Sequence, residues 1–300
     1  EFRQGRFVAA LLPEQSQLSP AGAYAVQLCL GGRWRDIVID DRLPAIGGSG
    51  FCVQLAYCST RRLQVWASLI EKAFAKAAGS YEALRGGEPR EALSMLTGWP
   101  CSVIRLSRED FDCDVFWASI CTSQEAGFLM TCSSRSDEEV GATAAGLVPN
   151  HAYSLIAAHA LVDQNGDTLR LLEIRNPHAK SRWRGAWAED SPQWTPALRA
   201  QLGVLGHEQS GLFFMALGDF LVYFEVCTIC RIRKGSWHET RLLVELPPFT
   251  PPCFGLTLEV FDTTECSLSL VQPEARLRGG PFVDAALGPL ACFGFVVLPA

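Results

Sequence analysis

Three hundred residues, 48% of them hydrophobic, are enough to build more than one buried core. The net charge of −6 comes without a basic cluster, which argues against nucleic acid or an anionic membrane as the main partner. No apolar run reaches membrane-spanning length and the first residues carry no signal-peptide pattern, so membrane insertion is not expected. Twelve cysteines are scattered through apolar contexts, and the close pair Cys227 and Cys230 lacks a second Cys/His pair at zinc spacing. Reduced thiols in a cytoplasmic protein are the default expectation.

In chain order, residues 24–30 and 34–39 read as strands joined at Gly31-Gly32. An amphipathic helix over 63–76 follows, stopped by Gly79, with Lys72 and Lys76 near its C-terminal end. Gly86-Gly87 with Glu88-Pro89 reads as a linker. Beyond it come a helix around 91–96, a polar acidic loop at 133–139, and a region expected to be mostly antiparallel β. Short apolar runs at 241–244, 256–260, 268–271 and 293–298, separated by Pro-rich and Gly-rich turns, suggest part of a β-sandwich. Three regions are therefore expected, over residues 1–86, 87–237 and 238–300.

The chemistry-bearing words are Asn150-His151-Ala152-Tyr153-Ser154 and Arg175-Asn176-Pro177. Between them lie an apolar run, a turn-like Val162-Asp163-Gln164-Asn165-Gly166-Asp167 and a second apolar run, the pattern of a hairpin. Antiparallel pairing about the turn sets His151 and Asn176 opposite each other within a residue or two. In a thiol protease the imidazole takes the proton of a cysteine, and an amide oxygen fixes its tautomer and orientation.

These words belong to an ordered series. It includes Asp40-Asp41-Arg42-Leu43-Pro44, Trp66 with Leu69-Ile70-Glu71-Lys72-Ala73, Glu125-Ala126-Gly127-Phe128-Leu129-Met130, Trp183-Arg184-Gly185-Ala186-Trp187 and Gly211-Leu212-Phe213-Phe214-Met215. Over residues 21–237 the chain resembles the protease core of the calpain family, and in details its small-optic-lobes branch. The resemblance implies an α+β, papain-like calpain protease core (the end of a first lobe and an antiparallel β second lobe), followed by a partial β-sandwich. It also implies an intracellular cysteine endopeptidase acting on protein substrates, with His151 as base and Asn176 as its orienting partner.

The family's Gln-x-Gly-x-Cys-Trp nucleophile segment has no counterpart here. Cys29, in the alternating Gln27-Leu28-Cys29-Leu30, is expected to be an inert strand residue. The chain is accordingly expected to be a fragment lacking the nucleophile and inactive as it stands, the alternative being a calpain-like interaction module without catalysis. Two further departures stand out. Asn176-Pro177-His178 replaces the family's Asn-Pro-Trp, putting His178 where an indole would shield the His–Asn bond. The family's calcium carboxylates in this lobe correspond to Arg182, Glu189, Ser210 and Leu212, of which only Glu189 remains a carboxylate, while the arginine and leucine oppose binding of a hard cation. No cofactor is expected for this lobe.

Overall fold

The computed structural model describes residues 6–12, 18–47, 54–60, 64–162, 166–179, 181–204, 211–233, 237–242, 259, 261–263, 265–272 and 276–277. The chain divides into two compact units, one formed by Glu1–Arg85 with Lys234–Ala300 and the other by Gly86–Arg233.

The first unit contains α1 (Arg6–Leu11), an antiparallel hairpin of β1 (Ala23–Leu30) and β2 (Arg33–Asp40), a minor pair of β3 (Ala45–Ile46) and β4 (Gln54–Leu55), and α2 (Trp66–Ala78). Leu30 pairs with Arg33, leaving Gly31 and Gly32 at φ 56° and 80° as the two-residue loop. A left-handed pair of this kind matches the twist of the flanking strands, and glycine adopts it without steric cost. Val26, Leu28, Ile37 and Ile39 form the buried face of the hairpin, and α2 buries Leu69, Ile70 and Ala73. Two lysines tie α2 to the hairpin's end: Lys72 donates to Asp40 Oδ1 and the Arg42 carbonyl, each at 2.6 Å, and Lys76 donates to the Val38 carbonyl at 2.6 Å. The helix starts three residues later than its apolar spacing predicts. Thr60 Oγ1 accepts from Gln64 N at 2.8 Å and donates to the Gln64 carbonyl at 2.9 Å, which holds the preceding chain in a turn.

The second unit is built on six antiparallel strands in the order β5-β10-β6-β7-β8-β9. In sequence it runs α3 (Pro89–Thr97), β5 (Cys101–Arg105), α4 (Cys113–Glu125), β6 (Leu129–Ser134), α5 (Asp137–Val140), β7 (Ala152–Val162), β8 (Thr168–Arg175), α6 (Pro196–Leu202), β9 (Leu212–Ala216), α7 (Leu217–Tyr223) and β10 (Phe224–Cys230). One face of the sheet carries Met130, Cys132, Tyr153, Leu172, Ile174 and Cys227, packed with Phe116, Trp117 and Ile120 of α4 and Phe220 of α7. On the opposite face a smaller cluster gathers Leu171, Phe214, Leu198 of α6, Trp187 and Trp194.

Three expectations from sequence are revised. Ser133 and Ser134 end β6 instead of opening a loop, because they pair across the sheet with Val226 and Phe224 of β10. The unit is also more helical than expected. In α4, Asp112 caps the first turn by accepting from Asp114 N and Val115 N at 2.8 and 2.9 Å. The run at 268–271 forms no strand: Leu268, Leu270 and Val271 are exposed, and none of the described strands pairs with them. Of the other runs read as sandwich strands, 293–298 falls outside the described residues, as do most of 256–260 and half of 241–244.

Candidate functional site

The site sits where β7 begins and β8 ends. The ladder pairs Ser154 with Arg175, and a bulge between Leu155 and Ala157 shifts the register by one beyond that point. Extending the near register sets Tyr153 opposite Asn176 and His151 opposite His178. His151 and Asn176 are thus offset by two residues, which keeps both on the face that carries Tyr153 and Ile174.

Backbone contacts at 134, 148 and 150 fix the start of β7. Asn150 takes a left-handed conformation (φ 49°), one that asparagine tolerates better than most residues, and its N–H donates to the Arg135 carbonyl at 3.2 Å. Ser134, 3% exposed, is the clasp beneath His151. Its hydroxyl donates to the Val148 carbonyl at 2.7 Å and accepts from His151 N at 3.0 Å, while its own N–H donates to the His151 carbonyl at 3.0 Å. Tyr153 Oη holds the other side of the same residue, accepting from Val148 N at 2.7 Å. Just upstream, Gly146 (φ 83°) lies so close to the Arg182 carbonyl that a Cβ there would be 1.7 Å away, and Arg184 N donates to the Ala145 carbonyl at 2.9 Å. The loop leading to His151 is therefore locked against the loop carrying Trp183. That indole is itself buried and donates to the Ala186 carbonyl at 2.7 Å, over a Gly185 whose Cβ would fall 2.0 Å from the ring.

Asn176 is 1% exposed and held at every polar group. Its N–H donates to the Gly211 carbonyl at 2.8 Å, its Oδ1 accepts from His178 N at 3.0 Å, and its Nδ2 donates to Ser181 Oγ at 3.0 Å. Gly211 (φ 73°) is required on two counts: a side chain there would be strained, and its Cβ would sit 2.3 Å from the Asn176 carbonyl oxygen.

The His151 imidazole is half-buried between two rings, edge-on to Tyr153 at 5.1 Å and nearly parallel to His178 at 4.9 Å. Burial is the main cause that pushes its pKa below the ordinary 6.5; the charge of His178 adds to this, and the neighbouring Asn176 amide opposes both. Nε2 is sealed from solvent yet closes no hydrogen bond of bonding geometry. The amide therefore lies near enough to favour the protonated ring but is occupied by His178 N and Ser181.

The structure thus brings together His151, Asn176 and His178. It places Cys29 in β1, 5% exposed, where burial, partly offset by Arg241, raises the thiol pKa. Arg182 Nη1 lies 4.0 Å from Glu189 Oε2, Leu212 is in β9, and Ser210 is outside the described residues. A shallow cavity of about 440 Å³, lined by Thr168, Leu169, Arg170, Ala216, Leu217 and Gly218, opens at the other end of β8 and holds none of the site residues. Ser134, Ser181 and Gly211 escaped the sequence reading as site residues. Only Gly211 left a signal, as the glycine opening the apolar word of β9.

The profile of the calpain family cysteine protease matches residues 3–231. The calpain-type cysteine protease DEK1 of Arabidopsis thaliana is 33% identical over 238 residues, covering 74% of this chain and 11% of that protein. Human calpain-12 is 35% identical over 228 residues, 73% of this chain and 31% of its own length, and mouse calpain-9 is 32% identical over 228 residues, 74% and 32%. The chain thus spans about a tenth of the plant relative and a third of the mammalian ones. Its mixture of helices and antiparallel sheets is that of a papain-like calpain protease core. Matched over most of its length by that one profile, the chain belongs to the calpain family of cysteine proteases.

Proposed function

We propose that this chain supplies the base and its orienting amide to an intracellular calpain-type cysteine endopeptidase of the small-optic-lobes branch, that of calpain fifteen. The observation that carries the reading is the fixed pair of a half-buried, pKa-depressed His151 and a fully buried Asn176 on the same sheet face. The nucleophilic thiol comes from outside these 300 residues, since Cys29 is buried with a raised pKa. That thiolate attacks a peptide carbonyl, the imidazole passes its proton to the leaving amine, and a water completes hydrolysis of the thioester. With Nε2 sealed from solvent, proton exchange with the thiol falls to Nδ1, and Nε2 is left for the neighbouring Asn176 amide to orient once it turns from His178 N. The substrates are proteins cut at few places, and cysteines unbridged throughout the described residues favour a reducing compartment.

Calcium has no place in this lobe's mechanism. Of the positions at which the family holds the ion, Arg182 puts a guanidinium beside the one remaining carboxylate, Glu189, and Leu212 offers no ligand side chain. The donor set does not fit a divalent ion, and no catalytic step passes through one.

The deciding experiment uses the longer protein that carries the nucleophilic cysteine, assayed on an unfolded protein substrate. His151→Ala is expected to lower kcat by about 10²–10⁴-fold, the usual share of a positioned acid–base group. Proteolysis at the wild-type rate in that variant would overturn the assignment of His151 as base, and absence of proteolysis in the wild-type protein would favour a non-catalytic interaction module.

A further inference from the structure

Two pairs of cysteines face each other directly across β10. Cys227 opposes Cys132 of β6, and Cys230 opposes Cys101 of β5. Directly opposed residues of an antiparallel pair have Cα atoms about 4.5–5.5 Å apart, inside the span of about 4.4–6.8 Å that a disulfide accepts. Backbone placement therefore permits either bridge, and the surroundings decide between them.

Cys132 and Cys227 point into the large core, and burial holds both thiols protonated, that of Cys227 pushed up to about 12. Cys230 lies on the opposite face, beneath α3. Thr97 Oγ1 is 3.3 Å from its sulfur, and the sulfurs of Cys230 and Cys101 each lie 3.9 Å from the same carbonyl oxygen, that of Trp99. A hydrogen bond with Cys101, followed by that of Thr97, brings the Cys230 pKa down in spite of burial. Cys101 is partly exposed and Cys230 is not, so the pair has one sulfur that solvent can reach and one poised behind it.

We propose that Cys101 and Cys230 form a reversible dithiol–disulfide site whose oxidant is a small disulfide of the glutathione class. The Cys101 thiolate attacks one sulfur of that disulfide; its S–S bond breaks, and the first small thiolate leaves and takes up the proton Cys101 lost. The Cys230 thiolate then attacks Cys101 Sγ of the mixed disulfide, and the second small thiolate leaves with the proton from Cys230. Two protein thiols are oxidised by two electrons and one small disulfide becomes two thiols. The bond joins the first strand of the Gly86–Arg233 unit to its last, where Arg231 N already donates to the Pro100 carbonyl at 3.1 Å and Arg231 Nε to Ser102 Oγ at 3.1 Å. His151 and Asn176 lie inside the loop so closed, and long closed loops gain the most from such a bond. The site stands independently of the protease reading.

The test incubates the reduced 300-residue chain with oxidised glutathione at graded ratios to the reduced form, followed by alkylation and peptide mapping. The expected product is a Cys101–Cys230 linked peptide two hydrogens lighter than its parts, reversed by dithiothreitol and accompanied by a higher melting temperature, with Cys132 and Cys227 alkylated only after unfolding. Cys230→Ala is expected to trap glutathione on Cys101. Should that variant fail to fold, Cys101→Ser at the more exposed position is expected to abolish the linked peptide with little change in the reduced chain's melt. Glutathione accumulating on exposed Cys58 and Cys266 while Cys101 and Cys230 stay free, or a stable Cys101 mixed disulfide in the wild type, would overturn the proposal.

Discussion

Replacing Ser134 with alanine removes a hydroxyl that gives one buried hydrogen bond and takes another, at 2.7 and 3.0 Å, and leaves the His151 N–H unpaired and the Val148 carbonyl with only the longer 3.4 Å bond from Tyr153 Oη. A buried polar group stripped of its partner costs about 1–3 kcal/mol. Because His151 is only half-buried, its N–H regains some water, which places the sum near 2–4 kcal/mol and the fall in melting temperature at roughly 5–12 °C. Tyr153→Phe removes the bond to the N–H of the same Val148, at about 1–2 kcal/mol. Since both side chains hold Val148 and share its carbonyl, the two losses are not independent, and the double-mutant cycle is expected to show a coupling of about 1 kcal/mol. Urea denaturation of the four proteins measures it, and the His151 ring resonances report whether the imidazole has moved. Strict additivity, or a Ser134→Ala cost below about 0.5 kcal/mol with His151 unshifted, would show that the clasp does not position the ring.

The pKa of His151 is lower in the folded chain than its ordinary 6.5, chiefly through burial. The unfolded chain therefore binds its proton first on acidification, and the stability His151 contributes is complete above pH 6.5 and lost as pH falls through the folded midpoint. An NMR titration with that midpoint above 6.5 would contradict the burial argument. Gly211→Ala is expected to destabilise the chain by about 1–3 kcal/mol through its left-handed φ and the clash with the Asn176 carbonyl, and to shift the Asn176 amide resonances. Unchanged amide resonances would mean that β9 does not hold Asn176. Calorimetric titration with calcium is expected to give no saturable heat in the micromolar range, and one-to-one binding there would refute the mismatch argued for Arg182 and Leu212.

Local chemistry made some parts of this fold legible in the sequence. Gly31-Gly32 announced its hairpin because a two-residue left-handed loop leaves little choice of residue. The β7–β8 hairpin announced itself by apolar runs about a polar turn. The helix α4 went unread although Asp112 and the spacing of Phe116, Trp117 and Ile120 carried a signal, because interspersed Cys113, Cys121 and Thr122 blurred its polar face. At the site, His151 and Asn176 were legible from chemistry close in sequence. Ser134 was not, because a serine bonded to residues 14 and 17 positions later leaves no periodic mark. The bulge in β7 was equally silent, and it decides which residue faces which beyond Leu155.

The strands that begin and finish the six-stranded sheet, β5 and β10, are neighbours in it, with Cys101 opposite Cys230, so the chain enters the sheet and leaves it at one place. A module with adjoining ends can be spliced into a host polypeptide, or lifted out of one, without stretching either. Residues 86–233 therefore have the geometry of a cassette that a host polypeptide could carry at a single insertion point.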